Sequence, residues 1–486
     1  IIRKDESTSI LALELFRASD DKNRTENKPT SSTPENKFTI VDYWGSRANL
    51  QPGNGVSAVR IMDLQTGRVW NSINGSKADP GIAPGEKITY YVAFGKIDSE
   101  QVTVFVPMAG FVTVSVLEAG SAQQAKIDLS AAQTELDTLP NTTLAASAPI
   151  ERYTRSLDDS TSTHTGGKDI TVTLASDVTF ASDSADLTSA ADAQLKTVAG
   201  QLAQYPDGGT LTIVGHTDDV QDDAYNQTLS EKRANAVKTR LEQLTKLDKW
   251  QTSVSGKGES QPKINNTSDE ARAANRRVEI TLTPTGGTTP KNTATPTNGS
   301  SATPNPTSSK LPDPKGPVAK GSEGVTVTRG NSEDKMTFVL TEVTRRGTYL
   351  VGEVKATGGT GGTQTGPADW LQPTQLDGSA RGEEDNNLLG AVTGLSLLTP
   401  QTRYYPVDYT TAKGTHHPLS EITADNKLGD GDATTLTVVW PDTGQDTVTL
   451  DLEPSTRATR PNNPFRLTDI RSAWCFSDWG SFSSRE

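Results

Sequence analysis

The sequence predicts a multidomain chain in which a central α+β domain is flanked by two all-β sandwiches. Three observations carry this expectation. Between 169 and 285 a short β-branched run alternates with stretches of helical period. On both sides, apolar and polar positions alternate in short runs separated by turn residues, the pattern of half-buried strands. A tract over 286–322, rich in Thr, Pro, Ser and Gly, has nothing with which to build a core.

Composition narrows the functional classes. The 486 residues carry 47 Lys+Arg against 60 Asp+Glu, a formal charge of −13. So acidic a chain is a poor binder of nucleic acid or anionic membrane as a whole, and no nucleic-acid partner is expected. At a prior of about 150 residues per domain, three domains are expected. The single cysteine, Cys475, excludes an internal disulfide framework and a cysteine-built zinc site. No stretch reaches the ~18 to 20 apolar residues of a spanning helix. Ile1 is not an initiator methionine, so the chain reads as a mature or trimmed product.

Residues 1–119 form the first predicted sandwich, with strand-like runs at 9–16, 59–64, 88–94 and 102–106 and a turn at Pro84-Gly85. An internal repeat links this part to the far end. Val59, Ile61, Met62, Gln65, Thr66, Arg68 and Trp70 align with Leu395, Leu397, Leu398, Gln401, Thr402, Arg403 and Tyr405, with one gap at Gly67. Ile82, Gly85, Glu86, Val92 and Phe94 then align with Leu428, Gly431, Asp432, Val438 and Trp440. The two ends resemble immunoglobulin-like, telokin-like modules of bacterial envelope proteins. Residues 120–168 are expected to be a linker with a short helix within 122–139.

After the central domain (169–285) and the polar linker (286–322), the second sandwich is expected over 323–470. A hairpin is predicted at 336–355 and a surface loop at 358–387. An aromatic tail occupies 471–486, and its packing on the last sandwich is favoured over a partner contact.

The most informative stretch lies in the centre. Thr210-Leu211-Thr212-Ile213-Val214 reads as a buried strand ending at Gly215, which leaves His216-Thr217-Asp218-Asp219 in a strand-end loop. Leu229, Arg233, Val237, Leu241 and Leu244 then mark one stripe of a helix. Arg233 thus falls on an apolar stripe. A guanidinium there needs its donors satisfied, by a carboxylate of the chain or by an anionic ligand. An earlier helix is marked by Leu195, Val198, Ala199 and Leu202.

These residues, with 177–187 leading in and Gly256-Lys257-Gly258-Glu259 and Asn275-Arg276-Arg277-Val278 closing, resemble the OmpA-like C-terminal domain family. The resemblance spans 169–285. It implies a mixed sheet with helices on one face and a non-catalytic domain that binds peptidoglycan. In that family the aspartate and arginine at the positions of Asp218 and Arg233 bind diaminopimelate. That side chain ends in an ammonium and a carboxylate, and the chemistry fits: Asp218 would accept from the ammonium, and Arg233 would grip the carboxylate with a planar fork that lysine lacks. By the same resemblance Leu229 would pack the aliphatic stem, Thr217 and Asn226 would shape the loop, and the Asp183–Ala185 backbone would offer hydrogen bonds. Arg276 and Arg277 border the site. Ser182 and Ala271 depart from the family's usual aromatic and glycine.

Three other readings compete. Asp218 and Arg233 could form a purely structural ion pair in an adhesive surface protein. An envelope hydrolase is disfavoured, because His164, His216, His416 and His417 show no HExxH spacing, and no Gly-x-Ser-x-Gly elbow or phosphate loop is present. An outer-membrane barrel is excluded for residues 1–119, which are too short and polar for eight membrane strands. No metal or cofactor is expected. The expected setting is extracytoplasmic, in the cell wall or envelope, with the sandwiches open to protein partners.

Overall fold

The computed structural model describes residues 1–20, 59–71, 82–106, 110–137, 144, 146–288, 311–329, 334–363, 366–372, 391–410, 414, 416–420, 427–454 and 463–474. The central part is a mixed sheet. Its strands lie in the order Ala148–Ser156, Thr161–Gly166, Asp169–Ala175, Arg277–Pro284, Gly209–Gly215, Trp250–Gly256. All neighbours are antiparallel except the last pair, which is parallel. That pair is joined by the helix Asp223–Leu244, as a parallel crossover requires.

Strand alternation sets the core. Ile170, Val172 and Leu174, Leu211 and Ile213, and Val278, Ile280 and Leu282 point to one face. There they meet Leu195, Val198 and Leu202 of the helix Ala191–Leu202 and Val237 and Leu241 of the long helix. The opposite face is polar, with Thr171 bonded to Thr281 at 3.0 Å and Thr283 donating to Asp169 at 2.6 Å. The helices predicted from 3.6-residue periodicity are both present, and the stripe positions 233, 237 and 241 are buried.

Both flanks are rich in strands. In the N-terminal part Thr8–Phe16 pairs with Lys87–Gly95 in one sheet, while Arg60–Asp63 joins Arg68–Asn71 and Gln101–Val106 in another. Ile61, Trp70, Val92, Phe94, Val102 and Val104 share one core between them. The two repeat segments make matching local structures. Arg60–Asp63/Arg68–Asn71 and Leu395–Leu398/Thr402–Tyr404 are antiparallel hairpins. Gly85 and Gly431, both at positive φ, precede the long strands Lys87–Gly95 and Ala433–Pro441.

Several expectations need correction. A linker over 120–168 does not describe 148–166, which forms a hairpin continuing the central sheet. Its sequence, Ile150-Glu151-Arg152-Tyr153-Thr154, is short and charged, and besides its hairpin partner it pairs with strands far away in the chain. Ala148–Ser156 also pairs with Arg68–Asn71, Asp408–Thr410 and Thr402–Tyr404. The three parts therefore meet on one strand. Around it Met62, Leu64, Val69, Phe105, Ile150, Tyr349, Val351, Val407, Tyr409 and Val439 form a core that belongs to no single module. The short helix of this region is present at Leu129–Leu136.

The polar linker also ends earlier than expected. Val318–Lys320 pairs with the strand Phe465–Trp474, and Arg466 Nη1 donates to Pro312 O at 2.7 Å. That last strand crosses the expected boundary at 470, while the tail from 475 onward lies outside the described residues. Within the expected surface loop, Pro367–Trp370 is a 3₁₀ turn. Its Ala368 and Trp370 are buried in the C-terminal core with Leu371, because Trp370 brings more apolar area than a solvent loop tolerates. Residues 373–390 lie outside the described residues.

Candidate functional site

The site loop leaves the end of Gly209–Gly215 with little room to move. A Cβ on Gly215 would stand 2.1 Å from Ser230 O, so strand and helix approach at a distance only glycine allows. Thr217 N donates to Gly258 O at 2.9 Å and fixes the loop to the neighbouring strand end. Asp222 caps the long helix by accepting from Tyr225 N at 2.9 Å. Asn226, buried on the first turn, donates to Asp218 O at 3.2 Å, Gln221 O at 3.0 Å and Glu259 Oε2 at 2.6 Å. Asn226 and Thr217 thus shape the loop that presents Asp218.

Asp218 is 8% exposed. Its Oδ2 takes a 2.6 Å bond from Arg276 Nη1, and its Oδ1 only a 3.3 Å bond from Val220 N–H. Arg276 turns its other edge to Asp177, with Nε–Oδ1 at 2.7 Å and Nη2–Oδ2 at 2.6 Å. Hydrogen bonds to Asp177, ahead of those to Asp218, hold Arg276 above its ordinary pKa.

Arg233 differs. It is 5% exposed, and its Nε donates to Ser184 O at 3.0 Å while its guanidinium carbon lies 5.2 Å from the Phe180 ring centroid. Among the described residues no carboxylate lies within ion-pair distance of it. Burial pushes its pKa down, and Asp177 and Asp183 oppose this only through space. The Ser184 carbonyl is offered by a turn in which Asp183 takes φ 49°, a left-handed conformation that aspartate tolerates. Asp183 itself is exposed, and Leu229 is half-buried one turn before Arg233.

The structural ion pair between Asp218 and Arg233 is therefore not formed: Asp218 is taken by Arg276. Arg277, grouped with the site by sequence, points elsewhere. It donates to Glu279 Oε1 at 2.7 Å and to the carbonyls of Asn275 and Gln261 at 3.2 Å. Strand alternation puts Arg277 and Glu279 on the sheet face away from the helices, where buried His216 has Nε2 3.9 Å from Glu279. Burial first, then the Arg277 charge, lowers the His216 pKa to about 4. The residues given too little weight are Asp177, Phe180 and Glu259. Phe180 lies in the 177–187 stretch that carries the resemblance, but nothing in its spacing paired it with Arg233.

Residues 179–276 match the OmpA family. Over 103 residues the chain is 44% identical to outer membrane porin F of Pseudomonas aeruginosa, covering 21% of this chain and 29% of that protein. Over 119 residues it is 36% identical to the probable lipoprotein YiaD of Escherichia coli strain K12, covering 24% and 53%. The chain thus spans between under a third and about half of these relatives. Among solved structures it is similar to the cell wall anchor of the T6SS from Pseudomonas aeruginosa, at 30% identity, 24% and 82% coverage and a TM-score of 0.21. The peptidoglycan-associated lipoprotein from Burkholderia pseudomallei is similar at 30% identity, 21% and 86% coverage and a TM-score of 0.19. The shared part is the OmpA domain.

Proposed function

We propose that this is a non-catalytic cell-wall-binding protein whose OmpA domain grips the diaminopimelate side chain of the peptidoglycan stem peptide. The observation that carries the reading is the buried Arg233 fork with no carboxylate partner among the described residues. Such a group is costly to bury alone, and a ligand carboxylate supplies the missing charge with bidentate geometry. Phe180 backs the guanidinium, and the Ser184 carbonyl fixes its Nε edge. Asp218 keeps Oδ1 for the ligand ammonium while Arg276 holds Oδ2. Leu229 offers apolar surface to the stem.

The names of the sequence relatives, which include an outer membrane porin and a probable lipoprotein, agree with an extracytoplasmic place at the wall or envelope. On the same reading the flanks are immunoglobulin-like modules that display or bind protein partners.

The test is co-sedimentation with purified sacculi. Diaminopimelate-type sacculi should retain the protein and lysine-type sacculi should not, since lysine lacks the second carboxylate. Arg233→Lys, which keeps charge but removes the fork, should bind nearly as poorly as Arg233→Ala. Equal retention by both wall types would overturn diaminopimelate recognition.

A further inference from the structure

We propose that Glu151, Asp408 and His416 form a binding site for a divalent metal ion of the zinc class at the seam between the central domain and the C-terminal part. The donor atoms of these three side chains lie within 4.8 Å of one another. They come from three strands, and register puts them on one face. Glu151 lies directly opposite Asp408 across an antiparallel ladder. His416 lies opposite Thr410, two residues along from Asp408, and so shares its face. His164 lies opposite Tyr153, two residues along from Glu151, and shares it too.

Placing two carboxylates opposite each other in a ladder is unfavourable. Here both are buried, Glu151 at 7% and Asp408 at 2% exposure, which raises the cost further. A cation between them removes it. His416 Nδ1 stands 3.8 Å from Asp408 Oδ2, too far for a hydrogen bond. It is close to the separation of two ligands on one ion, about 3.4 Å for tetrahedral bonds of ~2.1 Å.

The surroundings resemble the outer shell of a metal site. His164 Nε2 lies 2.8 Å from Glu151 Oε2, and Tyr153 Oη donates to the same oxygen at 3.1 Å, which fixes the carboxylate. The His164 ring stacks on Tyr153 at 4.4 Å between centroids. Thr410 Oγ1 lies beside the His416 ring, 3.2 Å from Nδ1 and 3.5 Å from Nε2. Gly166 leaves the space clear, since a Cβ there would meet His164 Nε2 at 3.2 Å and Glu151 Cδ at 3.4 Å. His416 is half-buried, which gives an ion a way in. Mixed imidazole and carboxylate donors without sulfur suit zinc better than the all-oxygen cages of calcium. The ion would staple strands whose donors are far apart in the chain.

The test uses the tag-free full chain, stripped with chelator and titrated with zinc by calorimetry, with bound metal counted by mass spectrometry. One zinc ion per chain and a rise in melting temperature with zinc are expected. Asp408→Asn and His416→Gln should each weaken zinc binding ~10-fold or more. His216→Gln, remote in the fold, should not. If Asp408→Asn fails to fold, His416→Gln at its half-buried position decides. Undiminished zinc binding by folded His416→Gln, calcium bound in preference to zinc, or no zinc bound by the folded wild-type chain would each overturn the proposal.

Discussion

Two buried arginine sites of this protein, one in the C-terminal part and one in the OmpA domain, are treated differently. In the C-terminal part Arg403 and Arg466 converge on Asp451, with Arg403 Nη2–Oδ2 at 2.9 Å and Arg466 Nε–Oδ1 at 2.7 Å, all three side chains buried. Glu453 adds a second acceptor for Arg403 at 3.1 Å. In the OmpA domain Arg233 is equally buried and has a carbonyl and an aromatic face but, among the described residues, no paired carboxylate. At the Arg403–Arg466 cluster the chain supplies the anion. On the proposed reading, the unmatched fork of Arg233 is where a ligand anion would sit.

The largest effect that would sharpen this contrast is at Asp451. Asp451→Ala leaves two buried guanidinium groups without their shared counter-ion and should cost about 3–5 kcal/mol of folding stability. Chemical denaturation measures it, and wall binding per folded molecule should not change. Arg233→Met should do the reverse. It removes an unmatched buried charge, so the variant should melt no earlier than wild type, while wall binding falls by about 2–5 kcal/mol. Loss of stability without specific loss of binding would make Arg233 a structural arginine after all.

His216 extends the contrast to a buried group able to discharge. Burial holds its folded-state pKa at about 4, below the ordinary 6.5, so the imidazole stays neutral in the folded protein. As pH falls the unfolded chain takes up the proton first. The stability is therefore fully present above pH 6.5 and is lost as pH falls through about 4, by about 3 kcal/mol. Urea unfolding at pH 7 and pH 4 should show this slope, and His216→Gln should flatten it. The smallest effect is at the helix that carries Arg233. Asp222→Ala removes the cap on Tyr225 N and should cost about 1 kcal/mol, with a similarly small loss of wall affinity.

Much of the central domain is legible in the residues. The β-branched run 210–214 and the four-residue spacing of 229, 233, 237 and 241 suffice to place Asp218 at a strand end and Arg233 on a buried stripe, because both periodicities are local properties of the backbone. The loop-shaping role of Asn226 follows from the same short spacing. Less visible was Phe180, whose ring reaches Arg233 only because two helices and a turn pack together.

Which acid meets which arginine was decided by tertiary structure alone. Fifteen residues separate Asp218 from Arg233, yet Asp218 pairs with Arg276 because the strand end and the last helix converge there. Likewise Ala148–Ser156 has the composition of a linker and becomes the strand on which three parts of the chain meet, with Glu151 facing Asp408. Local sequence sets the period and face of an element. Partners are set by register and burial between strands hundreds of residues apart, and no local pattern encodes that choice.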